Sequence, residues 1–203
     1  MKTQIKFQKI LSLVTLLIAV LTFVYALVFF SGNLSGDGLM FYLGKNEVDG
    51  YYTGADGFLL PAQTFVGVLV GLGIAFILVA AAQYVTATNS RRNYYVTNYV
   101  SSGLAILTGA VIALFGIIYL SILVSEFYAI DWTELQELIE GLKASNNPYK
   151  EVTDSPAMFI IGYVMFMIVL ADAVAWALNL LWKIKLMRGE KELLARVPVK
   201  EAA

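Results

Sequence analysis

The stretch Met158–Trp182, MFIIGYVMFMIVLADAVAWALNLLW, holds one acidic or basic residue, Asp172, in 25 positions. At ~1.5 Å rise per residue an α-helix of that length crosses a hydrocarbon core of roughly 30 Å. Three more stretches, Ile10–Phe30, Ala62–Val85 and Gly103–Val124, contain no Asp, Glu, Lys or Arg at all. The expected fold is therefore an all-α membrane protein, a four-transmembrane-helix bundle with spans at about 10–30, 62–85, 100–125 and 157–182.

With 203 residues, 59% of them hydrophobic, and a mean hydropathy of +0.73, span and short loop use up the chain. It reads as a single integral membrane domain over 1–203. The basic, then apolar, start resembles a signal peptide in outline. Its apolar run is too long and no small-residue cleavage site follows, so it is read as a retained first span.

The net charge of −1 conceals a segregation. Lys2, Lys6, Lys9, Arg91, Arg92 and the six cations from Lys183 onward fall on one side, opposed by Glu190, Glu192 and Glu201. The segments 31–61 and 126–156 carry nearly all the other carboxylates, with Lys45, Lys143 and Lys150 among them. Lys and Arg beside spans stay in the cytoplasm. Both termini, the 86–99 connection and the 183–203 tail are thus expected inside, in a plasma membrane of bacterial type, with 31–61 and 126–156 as outer loops. The tail alternates Leu186, Met187, Leu193 and Leu194 with charges, the pattern of an interfacial helix drawn to anionic lipid at the cytoplasmic face.

In the first outer loop Asp37-Gly38, Asp49-Gly50 and Asp56-Gly57 mark turns, and Leu39–Leu43 with Val48–Thr53 is read as a small hairpin. In the second, Asp131-Trp132-Thr133-Glu134 has the form of a capping box. A short amphipathic helix is expected after it, with Trp132, Leu135, Leu138, Ile139 and Leu142 on one face. With no cysteine in the chain these loops have no disulfides to hold them.

Small residues mark helix contacts. Gly67, Gly71 and Ala75 form a G-x-x-x-G continued on one face of span two, open to a helix of this bundle or of another chain. Gly109, Ala113 and Gly116 suit span three to a central, closely packed place. Pro61 and Pro156 stand where spans two and four begin.

Asp172 is the side chain to explain. At mid-span an exposed aspartate costs roughly 3 kcal/mol, so it faces protein or water. Trp176 and Asn179 follow at i+4 and i+7 on the same stripe. No cation of another span is there to neutralise it. The remaining fates are protonation with a hydrogen bond to a neighbouring span, pairing with a cation of another subunit, or lining a proton or cation path.

The chain has no histidine and no cysteine, which removes imidazole bases, thiol nucleophiles and the usual zinc, copper and haem ligands. A lone membrane aspartate cannot form an aspartyl protease dyad, and no G-x-x-x-x-G-K-[ST] loop occurs. No catalytic, cofactor-binding or metal residue is expected, and the tyrosines around Arg91 and Arg92 read as an aromatic belt rather than a nucleic-acid surface. The expected role is a non-enzymatic accessory or scaffold subunit of a larger membrane complex, hetero- or homo-oligomeric. The alternative is a small transporter or channel protomer in which Asp172 binds a proton or cation.

Overall fold

The structure, a computed structural model, describes residues 2–33, 55–88, 96–133, 137 and 156–195. These residues form four long helices, α1 Lys2–Asn33, α2 Ala55–Thr88, α3 Val96–Ala129 and α4 Ala157–Ala195. All four are long and apolar enough to cross a membrane. Each packs against its neighbours in sequence, and α1 closes the ring against α4. The contacts run antiparallel around it. Gln4 of α1 meets Asn179 of α4 at one end, while the Tyr25 hydroxyl donates to the Met158 carbonyl oxygen at 3.0 Å at the other. Likewise Gln83 meets Ser102, and Phe58 meets Phe127.

The buried positions of α1 are Gln4, Gln8, Leu11, Thr15, Ile18, Thr22, Tyr25 and Phe29, alternating steps of four and three. That is the seven-residue repeat of helices that keep one seam toward their partners. Lipid inverts the usual patterning: Leu13, Leu17, Val24 and Val28 point out of the bundle, and two glutamines and two threonines point in.

Along its axis the interior changes character. Toward the carboxy-terminal end of α1 it is aromatic, with Phe29 set edge-on to Phe65 at 5.2 Å, Phe127 on Phe159 at 4.9 Å, and Tyr25 perpendicular to Phe166 at 5.9 Å. Such pairs contribute about 0.5–1.5 kcal/mol each beyond area burial. Trp132 extends this end, its ring 4.7 Å from Phe127 and its indole N–H donating to the Phe127 carbonyl oxygen. Toward the amino-terminal end of α1 the interior is polar.

Glycines let the aromatic end close. A Cβ on Gly116 would meet the Phe166 ring, and one on Gly162 would meet the Tyr25 hydroxyl and Leu120. Gly109 lies against Ala173, with 3.2 Å from its would-be Cβ to the alanine methyl. Ala113 is fully buried in the same cluster.

Several expectations meet a different structure. The helices run past the apolar stretches, because hydropathy marks the length in lipid and not the length of hydrogen-bonded backbone. Pro61 therefore falls in the second turn of α2 rather than at its start. Pro156 does precede α4, and its carbonyl accepts from the N–H groups of Phe159 and Ile160. Gly67, Gly71 and Ala75 face outward from the bundle, with nothing within 4 Å of a Cβ built on either glycine. Lys183, assigned above to the cytoplasmic tail, is fully buried within α4. At Asp131 the side chain accepts from the Thr133 N–H at 3.1 Å, as an N-cap would. Leu135, Leu138, Ile139 and Leu142 lie outside the described residues, as does the hairpin of the first loop.

Candidate functional site

The polar end is built on a stripe of α4. Asp172, Trp176, Asn179 and Lys183 follow at steps of four, three and four, the same repeat that seats α1, and all four are buried. The structure thus brings together the three residues that the sequence places on one face and adds Lys183 a turn further on.

Asp172 is 6% exposed and faces Thr15 of α1, whose Oγ1 lies 2.9 and 3.0 Å from its two carboxyl oxygens. Two further groups use that hydroxyl. The Trp176 indole N–H donates to it at 2.6 Å, and it lies 2.9 Å from the Leu11 carbonyl oxygen. A hydroxyl has one proton to give and two lone pairs to fill. The one arrangement that fills every place has Thr15 donating to Leu11, Trp176 donating to Thr15, and a carboxylic O–H of Asp172 donating to the second Thr15 lone pair. Of the fates open to Asp172, the geometry matches the hydrogen bond to a neighbouring span. This polar layer divides the core: Leu11, Ala105 and Trp176 form a small apolar cluster on its polar-end side, apart from the large aromatic one.

Nearer the end, five buried side chains close a ring. Gln4 donates at 3.0 Å to both Gln8 Oε1 and Asn179 Oδ1. Gln8 donates to Asn98 Oδ1 at 2.8 Å, and the Lys183 ammonium donates to that same oxygen. Lys183 stands 4.3 Å above the Tyr99 ring and returns the chain to α4, one turn from Asn179. Asn98 also donates to Thr86 at 3.1 Å, which links the ring to a second group formed by Gln83, Ser101 and Ser102. Every helix contributes to these networks.

Satisfaction of the buried groups is nearly complete. Among the described residues, Asn179 Nδ2 is the one buried side-chain nitrogen or oxygen without a hydrogen-bond partner. An orphaned buried donor costs about 1–3 kcal/mol.

Sequence reasoning singled out Asp172, Trp176 and Asn179 and missed the rest. The signal was present in the spacing: Gln4, Gln8, Thr15 and Thr22 share the seam repeat of α1, and Lys183 extends the Asp172 stripe by one more step. Among the described residues no group of His, Cys, Asp and Glu could hold a metal ion. Comparison with known protein families, curated proteins and solved structures gives no match for this chain.

Proposed function

We propose that this protein is a non-enzymatic accessory or scaffold subunit that docks a transmembrane helix of another membrane protein, or of a second copy, on the outer face of α2. The observation that carries this reading is the outward position of Gly67, Gly71 and Ala75. Elsewhere the lipid-facing surface is built from large side chains, such as Leu13, Leu17 and Val24 on α1 and Leu107, Leu114 and Ile118 on α3. Small residues at spacing four let two backbones approach and gain dispersion contacts that lipid tails do not match. The absence of histidine and cysteine from the chain supports a role without catalysis.

The polar end is proposed to face the cytoplasm of a bacterial plasma membrane. Lys2, Lys6, Lys185 and Arg188 are all exposed there, the distribution expected of an inner boundary in contact with anionic lipid. The test uses Gly71→Leu in affinity purification from native membrane under mild detergent. Partner or second copy should be lost while helix content and melting temperature of the isolated chain hold, since the leucine meets nothing in the bundle. Migration of the unaltered chain alone on a native gel overturns the reading.

The alternative, a proton or cation site at Asp172, is favoured by one observation, a buried carboxyl at mid-span. Against it stand the intramolecular hydrogen-bond set around that carboxyl and the phenyl rings that fill the axis beyond it.

A further inference from the structure

The ring formed by Gln4, Gln8, Asn98, Lys183 and Asn179 is unbalanced in a particular way. Its amide oxygens are in use: Gln8 Oε1 and Asn179 Oδ1 each accept one bond, and Asn98 Oδ1 accepts two. Its unfilled place is on a donor, Asn179 Nδ2. Reversing the Asn179 amide does not help, because it would set the nitrogen against the Gln4 N–H that now donates to Asn179 Oδ1. The five side chains are at most 1% exposed, so bulk water does not reach the orphan.

A guest molecule at this point must accept from an amide N–H. A water molecule does so but brings two protons of its own, which oxygens already accepting would have to take. An anion brings none. Set beside Asn179 Nδ2 and one helical turn from the Lys183 ammonium, it gains charge-assisted hydrogen bonds in a medium of low dielectric. Enclosure of the ring favours a small, spherical ion over a carboxylate or phosphate. We propose that the polar end of the bundle binds a halide-sized anion, chloride in the cell, held by the Asn179 amide N–H and the Lys183 ammonium.

Trp176 supplies the readout. It is fully buried and three residues from Asn179 on the same α4 face, within the distance at which bromide and iodide quench indole fluorescence. The chain has three tryptophans, so Trp132→Phe with Trp182→Phe leaves Trp176 as the sole emitter. In the full-length protein in detergent, bromide titrated against gluconate at constant ionic strength should quench saturably, and chloride should reverse the quenching in competition. Asn179→Leu and Lys183→Met should each weaken the saturable phase by about tenfold or more, the scale of a hydrogen bond to a charged group.

If Asn179→Leu loses helix content, Asn179→Asp serves instead. It keeps an oxygen for Gln4 to donate to and sets a carboxylate where the anion would sit, so the saturable phase should again disappear. Quenching that rises linearly with bromide, is indifferent to chloride, or is unchanged by Asn179→Asp means that water fills the place, and the proposal is overturned.

Discussion

The Phe166 ring lies against the backbone of Gly116, so that even a methyl group at position 116 has no room. Gly71, on the next helix, has nothing within 4 Å of the same added atom. Two glycines of similar appearance in the sequence therefore predict opposite phenotypes. Gly116→Ala should destabilise the isolated chain by about 1–3 kcal/mol, the cost of overpacking a filled core. Gly71→Ala should leave its thermal unfolding in detergent unchanged. Equal melting temperatures for the two variants would mean that α3 and α4 do not meet as described.

At the Thr15–Asp172–Trp176 layer the side chains share one hydroxyl. Thr15→Val removes it, orphaning the indole N–H and the carboxyl, and should cost about 1–2 kcal/mol, near the upper end for interhelical bonds in membranes. Asp172→Asn keeps a neutral group whose N–H donates to Thr15 in place of the carboxylic O–H, and should cost less than half as much. A larger loss in the asparagine variant than in the valine variant would show that a charged carboxylate, not its neutral form, holds the layer.

Flux separates the two functional readings at the same residue. In proteoliposomes with an imposed proton or cation gradient, neither the unaltered chain nor Asp172→Asn should pass current above the lipid background. Flux through the unaltered chain that the asparagine variant abolishes would make Asp172 a transport site and displace the scaffold reading.

The spans were legible because lipid leaves the backbone few options: an apolar run of this length has to be a helix. The Asp172, Trp176 and Asn179 stripe was legible for a related reason, since polar groups in lipid turn inward and spacing then fixes the face. Lys183 was hidden by the same rules. A lysine just past an apolar run reads as a boundary cation, and only the hydrogen-bonding side chains of α1 and α3, far away in sequence, make a buried place for it. The outward turn of Gly67 and Gly71 was hidden too. A G-x-x-x-G pattern says that a helix can approach closely, but the face it occupies depends on where the larger residues Phe65, Leu69 and Phe76 are drawn, and these fill the bundle.

On the outer side of α4, Leu181, Ile184, Lys185, Arg188 and Gly189 line an open groove at the polar end. Two exposed cations above an apolar floor suit an anionic headgroup with its acyl chain below, at about 1 kcal/mol per cation near a charged surface. Lys185→Gln with Arg188→Gln should reduce retention of phosphatidylglycerol through detergent purification, read by lipid mass spectrometry. Retention of phosphatidylethanolamine should not change. An equal loss of both lipids would point to a changed fold rather than a charge effect.

Asn98 joins more of the polar end than any other side chain described there: its oxygen accepts from Gln8 of α1 and Lys183 of α4, and its nitrogen donates to Thr86 of α2. One α3 residue thus ties the other three helices together. Asn98→Leu withdraws an acceptor from a buried ammonium and from a buried amide at once, which should cost about 2–4 kcal/mol. Asn98→Asp keeps the oxygens, adds a negative charge beside Lys183 and gives up only the bond to Thr86. It should hold or exceed the stability of the unaltered chain. Adding Lys183→Met should then reverse the order: with the ammonium gone, the aspartate is a buried charge without its cation and the asparagine is not. Thermal unfolding of the four combinations in one detergent measures this coupling directly. Additive effects would show that Asn98 and Lys183 do not touch.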